Sequence, residues 1–197
     1  MDGELKMTLN EKLHTEADLS KFFESVLKGD QDSVLLSIKD GVDVNAFNKD
    51  DQTALMIASN LGNLKMAQLL IEQGAQVNLS SDYGRTALSY AISGWNRSVK
   101  MVELLVNNGA DINERTAKKD GFYTLRPLTL ATLYGGAEIV HFLLEKGAQG
   151  IEEAKIFAKN QGNNAMLDIL EEKNKMKGNN LLRVFKYLIY AKDRQKN

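Results

Sequence analysis

"QTALMIASNLGN" (52–63) and "RTALSYAISGWN" (85–96) decide the fold. Thr-Ala-Leu stands at 53–55 and returns at 86–88, a shift of 33 residues. The same shift carries Gly41 onto Gly74, Val44 onto Val77, Asn45 onto Asn78, Leu55 onto Leu88 and Ala58 onto Ala91. With a few residues inserted, a further copy follows. "NNGADIN" (107–113) answers "EQGAQVN" (72–78), and "RPLTLATLYGG" (126–136) answers "TALMIASNLGN" (53–63). "EKGAQG" (145–150) starts the ending again. Self-similarity at a fixed period of this size marks a stack of small units, each too small to bury its own apolar face.

Each copy reads as two helices and a turn. In the second copy the spacing predicts a first helix over Thr53–Asn60, with the Thr53 hydroxyl accepting from an orphan backbone N–H. Gly62 breaks it. A second helix is predicted over Leu64–Gln73, its Leu64, Ala67, Leu70 and Ile71 falling on one face. Gly74 ends it in the left-handed conformation that other residues resist, and Gly41, Gly109 and Gly147 take the same place elsewhere. Leu55, Leu88 and Leu128 are expected between neighbouring units. Ala58, Ala91 and Ala131 are expected where helices approach closely.

This unit resembles the ankyrin repeat, on Thr53-Ala54-Leu55-Met56-Ile57-Ala58, Thr86-Ala87-Leu88-Ser89-Tyr90-Ala91 and Arg126-Pro127-Leu128-Thr129-Leu130-Ala131. The resemblance spans residues 18–172. It implies an all-α ankyrin-repeat solenoid of about five helix-turn-helix units. The first and fifth units are degenerate terminal caps, the first with Ser20 at the Thr position. Extra helices stand at both ends: an N-terminal capping helix or arm over 1–17 and a basic amphipathic segment over 173–197. The family's His is Met56, Ser89 and Thr129 here, so the hydrogen-bonded tie that His supplies between neighbouring turns is expected to be missing.

Composition narrows the function. The formal net charge is −1, which argues against a general nucleic-acid binder, since phosphate binding needs concentrated positive charge. The chain has no Cys and two His, so thiolate chemistry is excluded and metal sites are poorly supplied. We expect no metal and no cofactor. Asp50-Asp51, Glu152-Glu153 and Glu171-Glu172 read as solvated charges, and His141 as a packing or surface residue. No apolar run approaches a membrane span and no signal peptide is seen, so the expected setting is cytoplasmic. The alternative is delivery into a host cell by a bacterium. A repeating row of similar positions makes a ledge instead of a reaction chamber, so an enzyme is not expected.

By the resemblance, partners bind on a concave face of turn segments ("fingers") and first helices. The expectation is a monomeric protein–protein interaction scaffold for one or more unidentified proteins. The alternatives are a regulatory or inhibitory subunit of an enzyme, or a bacterial effector acting on a host protein. The candidate contacts are Phe47, Lys49, Asp50 and Gln52 on the second finger, Asp82, Tyr83 and Arg85 on the third, and Tyr90 on the following helix. Phe47 and Tyr83 either contact a partner or pack on neighbouring fingers. Two insertions break the period. "SGWNRS" (93–98) holds Trp95, the only tryptophan, which either makes contact or covers a neighbouring helix. "ERTAKKDGFYTL" (114–125) holds Arg115, Lys118, Lys119, Phe122 and Tyr123. The C-terminal segment places Leu181, Leu182, Phe185, Leu188 and Ile189 on one face. It docks on the last repeat, meets an acidic partner or lipid, or self-associates.

Overall fold

The computed structural model describes residues 15–115 and 124–175. Within them lie ten α-helices: α1 (Glu16–Lys28), α2 (Gln31–Lys39), α3 (Ala54–Leu61), α4 (Leu64–Glu72), α5 (Ala87–Ser93), α6 (Val99–Asn107), α7 (Pro127–Leu130), α8 (Ala137–Glu145), α9 (Ile151–Asn160) and α10 (Asn164–Lys175). A π-helical turn, Ala131–Gly135, continues α7. The helices pair as α1–α2, α3–α4, α5–α6, α7–α8 and α9–α10, which makes five units. First helices pack on first helices along the stack, α1 on α3, α3 on α5, α5 on α7 and α7 on α9. Among the described residues there is no strand beyond isolated bridges between Phe47 and Thr53 and between Ser80 and Thr86, which pinch the bases of two fingers. The fold is an all-α helix-turn-helix repeat solenoid.

The leucines that recur in sequence are the core between units. Leu55, Leu88 and Leu128 are buried, as are Ala58, Ala91 and Ala131. Thr53 caps α3 and Thr86 caps α5, each hydroxyl accepting from the backbone N–H three residues on, at 3.3 Å. The residue in the family's His position closes the cap from the other side. Met56 Sδ accepts from Thr53 N at 3.4 Å, and Ser89 Oγ accepts from Thr86 N at 3.0 Å.

The ties between units come from elsewhere. Asn45, at the Val-Asn position, accepts from Gln76 N (2.8 Å) and donates to Gly74 O (3.3 Å). Asn78 accepts from Asp111 N (3.0 Å) and donates to Gly109 O (2.8 Å). Asn113 accepts from Gln149 N at 2.7 Å. Each amide therefore satisfies backbone groups of the following unit that no helix serves. The repeating Asn was visible in sequence; its partners were not.

Several expectations are corrected. Ser20 is not a cap. It lies inside α1, whose N-cap is Thr15, in a reciprocal box with Asp18. The boundary drawn at 17/18 therefore cuts α1, and the one at 172/173 cuts α10. The first helix of the second unit is Ala54–Leu61 and its second ends at Glu72, each one residue from expectation. The carboxylate pairs are not uniformly solvated, because Asp51 and Glu153 are engaged. The terminal helices expected over 1–17 and 173–197, on Leu5, Leu9 and Leu13 and on Leu181 to Ile189, fall largely or wholly outside the described residues.

Candidate interaction face

The second and third fingers are built alike. In the second, Asn48 N donates to Gln52 O (2.9 Å) and Asp51 N to Asn48 O (3.1 Å). In the third, Ser81 N donates to Arg85 O (3.0 Å) and Gly84 N to Ser81 O (2.8 Å). The tightest point of the third is Gly84 at φ 67°; the matching residue of the second is Asp51 at φ 58°. Left-handed backbone is uncommon for a non-glycine residue. Asp51 there places its carboxylate to accept from the backbone N–H of Asp82, so one finger grips the next.

Beside the fingers, the first helices leave two open grooves. One, of about 420 Å³, runs between α1 and the second finger, lined by Leu19, Phe23, Leu27, Phe47, Lys49 and Asp50. Phe47 is 40 % exposed. Lys49 Nζ lies 2.5 Å from Glu16 Oε1. This hydrogen bond, with the attached charge, holds the Glu16 carboxyl below its ordinary range and the Lys49 ammonium above its own. Both side chains remain in solvent, where such a pair contributes little.

The second groove, of about 560 Å³, opens between the second and third units. Gln52, Asn60, Arg85, Tyr90, Trp95 and Arg97 line it. The Arg85 guanidinium lies over the Tyr90 ring, 5.4 Å from its centroid, a cation–π arrangement that orients the cation. Trp95 is 91 % exposed; it covers no neighbouring helix. Its backbone is nevertheless held. Asn60 Oδ1 accepts from Trp95 N and Asn60 O from Asn96 N, both at 3.4 Å. Asn96 Nδ2 donates to Leu61 O at 3.4 Å. A Cβ on Gly94 would sit 2.4 Å from Asn60 Oδ1 and 2.4 Å from Tyr90 O, so only glycine lets the inserted loop press this closely on α3. Arg97 reaches the other way, donating from Nη1 to the backbone carbonyl of Tyr134 in the fourth unit. The two-residue insertion therefore bridges three units and presents an indole to solvent.

The sequence-selected residues divide accordingly. Phe47, Lys49 and Asp50 line the first groove, and Gln52, Arg85, Tyr90 and Trp95 the second. Asp82 and Tyr83 stand exposed at the tip of the third finger, Tyr83 at 68 %. Arg115 belongs to a different arrangement. Its Nη2 is 2.6 Å from Glu153 Oε1, a charge contact at an angle that does not make a hydrogen bond. Lys118, Lys119, Phe122 and Tyr123 lie outside the described residues. Asn60 and Arg97 were missed. Asn60 stood at the predicted end of a helix, and Arg97 lay unremarked within the inserted stretch, two residues from Trp95.

A third groove, of about 570 Å³, lies on the opposite, second-helix face, with Lys65, Glu72, Lys100 and Glu103 along it. Its mixed charges on long, flexible side chains make a solvated surface, and no aromatic lines it. Among the described residues no group of three or more His, Cys, Asp or Glu could hold a metal ion, and no helix is long and apolar enough to cross a membrane.

A stack of helix pairs with hydrogen-bonded fingers before α3 and α5 defines a class of repeat solenoid. Residues 22–116 match the family model described as "Ankyrin repeats (3 copies)", and that stretch is built of ankyrin repeats. The chain is 36 % identical over 117 residues to a putative ankyrin repeat protein of Fowlpox virus (strain NVSL), covering 57 % of this chain and 32 % of that protein. It is 35 % identical over 105 residues to protein fem-1 homolog A-like of Mus musculus, covering 53 % and 15 %. It is 29 % identical over 140 residues to the mitochondrial disaggregase of Bos taurus, covering 71 % and 19 %. The chain thus spans a third or less of each of these relatives, and the likeness is a likeness of repeats. Ankyrin repeats generally mediate protein–protein interaction, and domains built of them are typically non-enzymatic scaffolds.

Proposed function

We propose that this chain is a protein–protein interaction scaffold, not an enzyme, and that it binds its partner on the concave face of fingers and first helices. The observation that carries the reading is Trp95: a large aromatic side chain in solvent on a loop whose backbone is fixed. Exposed apolar area that loses little freedom on docking is what an interaction hot spot needs. Tyr83 and Phe47 add aromatic surface along the same edge. A regulatory subunit or a bacterial effector would use this face in the same way and would differ only in the partner.

The test compares two faces. A photo-cross-linking amino acid replaces Tyr83 on the finger edge or Lys100 on the second-helix face, and each full chain is irradiated with its binding proteins. Adducts from position 83 and not from position 100 are expected. Equal adducts from both, or adducts from position 100 alone, would remove the assignment.

A further inference from the structure

We infer that the groove between the second and third units takes an extended segment of a partner protein bearing Asp or Glu side chains around an apolar residue. This inference rests on the finger-face reading above and gives it a partner chemistry. Two guanidinium groups line the groove, Arg85 and Arg97, and no carboxylate does. Neither arginine has an ion-pair partner among the described residues. The other polar lining is neutral: the Gln52 and Asn60 amides and the Ser93 hydroxyl.

Both arginines are already oriented. Arg85 rests on the face of Tyr90, which leaves its N–H edge for a carboxylate; a planar guanidinium with five donors suits two-point recognition of that group. Arg97 spends one N–H on the Tyr134 carbonyl and keeps the rest. Trp95 shares the lining with them and is mostly in solvent, an apolar surface in the same groove as two cations. A nucleic-acid backbone fits poorly. It needs a track of positive charge, and the fingers flanking this groove carry Asp50, Asp51 and Asp82. A short acidic segment needs only the two cations and avoids those carboxylates.

The sole tryptophan of the chain lies in the site, so its emission reports occupancy by any peptide lacking Trp. The probe is a set of twelve-residue peptides of one frame, a central Leu flanked by Glu, Gln, Lys or phosphoserine, titrated into the full chain. The Glu peptide should shift Trp95 emission to the blue and bind about tenfold or more tighter than the Gln peptide, with the difference shrinking as salt rises. Arg85→Gln and Arg97→Gln should each weaken it by about tenfold. Gln at position 97 keeps a donor for the Tyr134 carbonyl, and unchanged thermal melts show that the stack is intact. Equal binding of Gln or Lys peptides, binding of phosphoserine peptides alone, or indifference to both substitutions would overturn the inference. If position 83 cross-links a partner while Glu peptides fail to bind, the acidic-segment assignment falls and the interaction face stands. If neither occurs, both fall.

Discussion

The second and third units and the fourth and fifth solve one problem differently. In the first pair, Thr53 and Thr86 cap the first helices with their own hydroxyls, and the fingers end in tight, hydrogen-bonded turns. In the second pair the cap position is Arg126, which makes no side-chain cap. Pro127 follows at the first helical position, where its fixed φ suits the start of a helix and its missing N–H costs nothing. Arg126 reaches outward instead. Its Nη1 donates to Asn113 O at 2.7 Å, and its Nε lies 3.9 Å from Glu153 Oε2. Its Cδ also passes where a Cβ on Gly150 would sit, at 2.6 Å. Arg115 meets the same carboxylate. The fifth unit has no finger of its own, since α9 begins directly after Gly150. A charged latch through Glu153 stands where a finger would have been. The middle of the stack and its C-terminal end are therefore held by different forces, helix capping in the one and ion pairing in the other.

The largest expected effect separates middle from end. Leu88→Ala should cost about 2–5 kcal/mol of global stability, because the residue is buried between two units on each side. Leu170→Ala removes an equally buried side chain from the fifth unit, which among the described residues packs on one neighbouring unit. Nearest-neighbour stacking makes that a local loss. Hydrogen exchange should show α9 and α10 opening while α3 to α6 keep their protection. Loss of protection everywhere would mean that the stack unfolds as a single block.

The latch comes next. Glu153 is about one-fifth exposed at its side chain, with Arg115 and Arg126 against it. Glu153→Gln should destabilise the fifth unit by about 1–2 kcal/mol, between the values for exposed and buried pairs. Added salt should reduce the difference from wild type in urea melts. A difference independent of salt would show that shape, not charge, holds α9.

Two threonines give opposite signs. Thr86→Ala should cost about 1 kcal/mol by orphaning the Ser89 N–H. Thr129, in the fourth unit, is fully buried with no hydrogen-bond partner for its hydroxyl among the described residues. Thr129→Val keeps the shape and removes an unsatisfied group, so it should be neutral or stabilising. Two losses of similar size would contradict the contrast between the units.

The smallest effect is the acid response of α2. The Ser33 hydroxyl and backbone N–H, donating to Asp30, hold its carboxyl below the ordinary aspartate range. A lowered folded-state pKa means the cap's contribution is present above the unfolded value and is lost as pH falls through the folded one. Asp30→Asn should therefore flatten the acid limb of the stability profile slightly and leave neutral pH nearly unchanged. An NMR titration placing Asp30 at or above the ordinary value would contradict this.

The repeat, its register and its core are legible from the amino-acid pattern alone. The reason is that apolar periodicity, Thr caps and terminal glycines act locally, and each copy repeats the same local physics. The pattern also marked the residues that break the period, among them Trp95 and Arg115, without distinguishing their roles. Those roles follow from the packing of the units, because they depend on which side chains of other units come within reach. Trp95 projects into solvent since Asn60, far back along the chain, grips its backbone. Arg115 turns inward since Glu153, far ahead, faces it. Asn60 and Arg97 joined the groove for the same reason: charge and hydrogen-bond geometry between units has no signature in the local pattern of either one.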